Sequence, residues 1–170
     1  MHLQQILTST TNHEVGLIDM RDWILPLMQP VFTSVENTPE PFRPLSERIF
    51  GADAFILISP EYNGSYSPAM KNLLDHFPKQ HHKPFGIVTA SPGALGGMRA
   101  AQQLLLLVPA LFGIPSPYLL IVPSVDKKFD KSGNLTDESF YHQVHNFTAE
   151  FLWLAENLVA QKPVPAMKFN

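Results

Sequence analysis

The chain has 170 residues, which is one domain by length and enough to bury a real core. Hydrophobic residues make up 45% of it, an ordinary share, but charged residues only 16% against a usual ~25%, which points to surface covered inside the fold or by another subunit. With 12 Lys+Arg against 15 Asp+Glu the net charge is −3, so no basic field exists to hold nucleic acid or an anionic membrane.

No apolar window is long enough to span a bilayer, and the first residues lack the basic and apolar pattern of a secretion signal. Cysteine is absent, which excludes a disulfide framework, a thiolate zinc site and a cysteine nucleophile. The expected compartment is the cytoplasm, and the expected partners include neither nucleic acid nor membrane.

Met1–Thr8 reads as the end of a short helix, and Glu14–Asp19, "EVGLID", as a strand. Prolines 26, 30, 39 and 41 make residues 20–43 irregular, and Pro44–Phe50 is a candidate helix. Asp53–Ser59, "DAFILIS", is a near-continuous apolar run and predicts a strand buried on both faces. Ser67–Phe77 predicts a helix with Ser67 as cap, Pro68 in the first turn, and Met70, Leu73, Leu74 and Phe77 on one face. Pro84–Ala90, "PFGIVTA", is a second buried strand. Gly97–Phe112 is a helix that is apolar nearly all round, with Pro109 as a kink. Tyr118–Pro123 is a third strand. Thr136 is then the expected cap of a last helix, whose stripe is Phe140, Val144, Phe147, Phe151, Leu154 and Leu158, with Trp153 packing beside it.

Strands alternating with helices predict an α/β fold with a doubly wound parallel sheet in three α/β/α layers. Ligands in such sheets sit at the carboxyl ends of the strands. Two strand ends here carry unusual loops: Pro60–Ser65, "PEYNGS", and Ser91–Gly97, "SPGALGG". Glycine and proline leave backbone amides uncovered by side chains, so two such loops side by side make a peptide-lined shelf for a flat polar ring. The plainer alternative is a pair of ordinary strand-to-helix turns.

The stretch "SPEYNGSYSPAMKNLLDHF" resembles the signature of the NADPH-dependent FMN reductase family, flavodoxin-like proteins that include quinone and azo reductases. "LIDMRDWILPLM" resembles that family's second strand and following loop, "GADAFILISPEYN" its third strand, and "TASPGALGGMRAAQQLLLLV" its second glycine loop and fourth helix. The resemblance covers roughly residues 3–160. It implies non-covalent FMN as cofactor, NAD(P)H as co-substrate, a small-molecule acceptor, and a homodimer or a tetramer of dimers. It also implies that Pro60, Glu61, Tyr62, Asn63 and Gly64 hold the flavin ring, chiefly through backbone groups, with Ser91, Pro92 and Gly93 bordering it. The flavin carries the chemistry, so no catalytic acid or base is expected.

The family opens on a strand and a serine- and arginine-bearing glycine loop that grips the FMN phosphate, and neither precedes Met1. Either they lie upstream or this is a truncated, rearranged member. The expectation is the first: a single flavodoxin-like domain over 1–170 whose first strand and phosphate loop lie before Met1. A flavin-free flavodoxin-like binding or regulatory module is the alternative function.

Other constellations carry less. Glu138, His142 and His145 share a helical side but suggest surface residues rather than metal ligands. His81 and His82 sit in a polar connection, and "NGSYS" lacks the trailing glycine of a hydrolase nucleophile elbow. Lys127, Lys128 and Lys131 form a small basic patch on a loop.

Overall fold

The computed structural model describes residues 2–161; Met1 and residues 162–170, part of the expected domain, lie outside them. Four parallel strands make the sheet: β1 (Phe55–Pro60), β2 (Pro84–Ser91), β3 (Ile114–Pro115) and β4 (Leu120–Pro123). β2 is central, pairing with β1 on one side from Phe55↔Phe85 to Pro60↔Ala90. On its other side it pairs with β3 at Pro84↔Ile114 and with β4 at Val88↔Leu120. β3 and β4 are therefore two pieces of one strand position, interrupted where Ser116 N–H donates to the Phe85 carbonyl at 2.7 Å. Six of the eight β2 residues are fully buried, as a strand covered on both faces requires.

Helices α3 (Pro68–Asp75) and α4 (Met98–Ala110) cover one face. Met70, Leu74, Ala101, Leu104 and Val108 pack there on Leu57, Phe85 and Ile87. Helices α1 (His2–Thr10) and α6 (Tyr141–Ala160) cover the other, with Leu3, Val144 and Phe147 against Val88, Leu120 and Val122; one turn, α5 (Val125–Lys128), follows β4. The α6 packing is close: a Cβ on Gly86 would lie 2.9 Å from the Phe147 ring. A third cluster joins α2 (Arg43–Gly51) to α3 through Leu45, Ile49, Leu73, Phe77 and Phe32. This is the three-layer, flavodoxin-like arrangement that the alternation of elements predicts. Among the described residues no helix is long and apolar enough to cross a membrane.

Several expectations need correcting. Glu14–Asp19 is not a strand. A parallel strand needs a neighbour for its N–H and C=O groups, and the sheet of the described residues ends at β1. The segment is held by side chains instead: Ile18 and Met20 pack on the third cluster, and the Arg48 guanidinium donates to the Leu17 carbonyl at 3.1 Å. β1 is not buried on both faces: Ile58 is 48% exposed.

The cap before α6 is Asp137, not Thr136. Asp137 accepts from the Ser139 N–H at 3.0 Å at the head of a 3-10 turn, Glu138–Phe140, while the Thr136 hydroxyl donates to the Lys128 carbonyl. Trp153 is 64% exposed rather than packed. Pro109 lies inside α4, in its last turn, where it has no N–H to give the Leu105 carbonyl.

Candidate active site at the carboxyl ends of β1 and β2

The pairing of β1 with β2 ends at Pro60↔Ala90, so the two loops leave the sheet side by side. The first begins with a buried hydroxyl. Ser59 Oγ donates to the Pro60 carbonyl at 2.8 Å and accepts the Ser67 N–H at 2.8 Å, closing the loop at its base. Tyr62 and Ser65 exchange backbone bonds of 2.8 and 3.1 Å, and Asn63 (φ 51°) and Gly64 (φ 82°) form the turn between them. Positive φ at both central positions is what a type I′ turn requires, and Asn-Gly is its preferred sequence. Ser67 then caps α3 by accepting the Met70 N–H at 3.3 Å.

In the second loop, Gly93 N–H donates to Ser91 Oγ at 3.0 Å, and the Gly93 carbonyl accepts from both Gly96 and Ser124 N–H at 3.3 Å. Ser124 holds a left-handed conformation (φ 48°) just past β4. Gly96 lies flat on the end of β4, where a Cβ would meet the Pro123 nitrogen at 2.6 Å. Asn63 and Gly64 at the first turn, and Ala94 and Leu95 at the second, have main-chain N–H groups with no acceptor among the described residues. Of the eight residues singled out from the sequence, Pro60 and Ser91 end β1 and β2, and Glu61 to Gly64, Pro92 and Gly93 stand on the two loops that follow them.

Sequence reasoning missed two features. Glu61 reaches across to α4: its carboxylate accepts the Arg99 main-chain N–H at 3.2 Å and lies 3.5 Å from the Arg99 guanidinium. A cleft of about 300 Å³ opens beside the second loop, lined by Leu95, Met98, Ile121, Pro123, Lys128 and Phe140 among others. In its wall the Lys128 ammonium pairs with Asp137 at 2.7 Å and lies 4.7 Å from the Phe140 ring centre. The Lys128 hydrogen bond holds the Asp137 carboxyl below its ordinary value. Burial raises the Tyr66 phenol above its ordinary value. Helix α1, which the sequence suggested as the end of a short helix at Met1–Thr8, sets its His2 ring 5.7 Å from Phe129.

The arrangement fits the ring of a flavin. Gly64 and Gly93 have no side chain over the turn faces, and the unpaired amides of the two turns are donors for a polar ring edge. A glycine-bearing phosphate cradle is not among the described residues. Nor is a metal centre: no group of three His, Cys, Asp or Glu among them could hold an ion, and His142 and His145 are exposed.

The fold is a flavodoxin-like framework with two loops paired at the strand ends. The model of the NADPH-dependent FMN reductase family matches residues 1–125, and the chain belongs to that family. It is 35% identical over 99 residues to an NAD(P)H-dependent FMN reductase of Schizosaccharomyces pombe, a match covering 55% of this chain and 48% of that one. It is 30% identical over 128 residues to the FMN-dependent NADPH-azoreductase of Staphylococcus aureus, covering 73% of this chain and 68% of the relative. The matched segments thus span about half to two thirds of these relatives. Among solved structures, the flavoenzyme NAD(P)H:(acceptor) oxidoreductase FerB of Paracoccus denitrificans superposes with a TM-score of 0.74 at 25% identity. That superposition covers 91% of this chain and 86% of FerB.

Proposed function

We propose that the chain is an FMN-dependent oxidoreductase that passes reducing equivalents from NAD(P)H to a small aromatic acceptor: a flavin, a quinone or an azo compound. The observation that carries the proposal is the pair of peptide turns, Tyr62–Ser65 and Gly93–Gly96, side by side at the ends of β1 and β2. Pro60, Glu61, Tyr62, Asn63 and Gly64 would hold the FMN ring from one side, and Ser91, Pro92 and Gly93 from the other. When bound, FMN supplies the hydride-accepting centre, so no side chain needs to act as acid or base. The chain's part is to orient the ring through fixed main-chain donors, which need no rearrangement as charge develops on it. Tyr62, Leu95 and Met98, all exposed apolar side chains at the loop rims, would shelter the site from water and offer flat contact to an aromatic acceptor.

The test is NADPH and NADH oxidation by the purified chain with and without added FMN, against a quinone, an azo dye and free flavin as acceptors. The proposal expects oxidation that depends on FMN and on the acceptor. No FMN-dependent oxidation with any acceptor would overturn it.

The chain would act as a homodimer, itself able to pair into a tetramer. Leu106, 69% exposed, with Leu105 and Leu107 half-buried beside it, leaves an apolar strip on the outer side of α4. A two-fold pairing lets one such strip cover its own copy.

A further inference from the structure

We infer that Glu61 is a positioning residue whose carboxylate ties the β1 turn to the first turn of α4 and so fixes the spacing of the two loops. The inference rests on the flavin reading of this site and assigns Glu61 a side-chain role there.

Strand pairing fixes the two strands to each other only as far as Pro60↔Ala90. Beyond that point each loop is held within itself or to its own side. Tyr62 bonds Ser65, Ser59 bonds Ser67, and Gly93 bonds Gly96 and Ser124. Among the described residues, the one hydrogen bond that joins segment 61–66 to segment 91–99 runs from the Arg99 N–H to Glu61 Oε2, at 3.2 Å.

Helix chemistry explains why that bond is needed. The residue before α4 is Gly97, in a left-handed conformation (φ 86°) and without a side chain to cap the helix. The first N–H groups of a helix have no intrahelical acceptor and carry partial positive charge. A carboxylate from the neighbouring loop satisfies one of them. A Ser or Asp at position 97 could do so locally, but a Cβ there would meet Thr89 at 2.9 Å. The close approach of α4 to β2 thus excludes a local cap and leaves the role to Glu61.

The geometry also separates the main-chain bond from the ion pair. The Glu61 side chain is 16% exposed, whereas that of Arg99 is 65% exposed and its guanidinium stands 3.5 Å away. An exposed pair of that kind contributes little. The sheltered bond to the main chain is the one that sets position. The Arg99 stem adds a cover over the first turn, since a Cβ on Gly64 would lie 3.7 Å from Arg99 Cδ.

Two variants and two readouts test this. Glu61→Ala removes the acceptor, and Glu61→Gln keeps an oxygen for the Arg99 N–H while removing the charge. Without flavin, amide hydrogen exchange of Glu61→Ala should quicken about tenfold or more at Arg99 and at the bonded Gly93 and Gly96 amides of the second loop, with α6 unchanged. Unchanged protection there overturns the bridge. With flavin, Glu61→Ala should weaken FMN binding about tenfold, the loss of one charge-assisted hydrogen bond, while Glu61→Gln stays within about threefold of wild type. A Gln variant as weak as the Ala variant overturns the bridge as the cause. So does an Ala variant that binds FMN like wild type. A wild-type chain that binds no FMN would instead overturn the flavin reading, and with it the purpose assigned to the bridge.

Discussion

The glycines of the two loops are not equivalent, and the difference can be measured. Gly64 has φ 82°, but a Cβ there would touch only Arg99 Cδ at 3.7 Å. Its demand is conformational, so Gly64→Val should cost about 1–3 kcal/mol, because a β-branched residue is strained at positive φ. Gly96 has φ 59° and is crowded as well: its Cβ would lie 2.6 Å from the Pro123 nitrogen and 2.7 Å from Ile121 Cγ2. That crowding involves backbone, which cannot step aside. Gly96→Ala should therefore destabilise more than Gly64→Ala, by at least about 1 kcal/mol more, in urea melts of the two single variants. Equal losses would mean that Gly96 does not rest on β4. The Asn63-Gly64 turn was legible from the sequence because a dipeptide that favours positive φ follows a strand. Gly96 was not: its reason is the end of a strand more than twenty residues further on. Glu61 was named from the sequence, but for its backbone. Nothing local signals that its side chain turns to α4.

At the scale of elements, helices with a cap and a clean stripe were readable. Ser67, Pro68 and the Met70–Leu73–Leu74 face place α3 within two residues, and Phe140, Val144, Phe147 and Phe151 are all buried as the stripe requires. The misses share one cause. The strand expected at Glu14–Asp19 has the right composition, but a strand exists through its neighbour, and none is present among the described residues. Thr136 lost the capping role to the next residue because Asp137 also has the Lys128 ammonium within reach, a contact across nine residues.

That cap makes a prediction about pH. The Lys128 bond depresses the folded-state pKa of Asp137, so its stabilisation is present above the ordinary Asp value and lost as pH falls through the folded one. Wild type should melt above Asp137→Asn at pH 7, and the gap should close as pH falls below about 3.9. A gap that stays constant down to pH 2 would show that the ion pair adds nothing.

For the molecule as a whole, alternation of strand and helix was enough to give the layers, and the two loops at the strand ends were legible as the candidate site. The cleft beside the second loop was not legible, because its walls come from three segments, Ala94–Met98, Ile121–Pro123 and Lys128–Gln143. The low charged fraction has a visible counterpart in exposed apolar residues such as Leu106, Ile24 and Leu27. If α4 pairs two copies, Leu106→Glu should give a folded monomer in light scattering where the wild-type chain gives at least twice 19.1 kDa. A wild-type mass of 19.1 kDa at high concentration would rule the pairing out.

The central claim is that the turns following β1 and β2 receive the flavin ring. The most direct test is a titration of the isotopically labelled chain with FMN, following each main-chain amide by NMR. The account predicts that the amides of Asn63, Gly64, Ala94 and Leu95 shift most, while His81, His82 and Phe112, which lie together at the opposite end of the sheet, stay still. Saturating FMN that leaves both turns unmoved, or that shifts the opposite end instead, would contradict it.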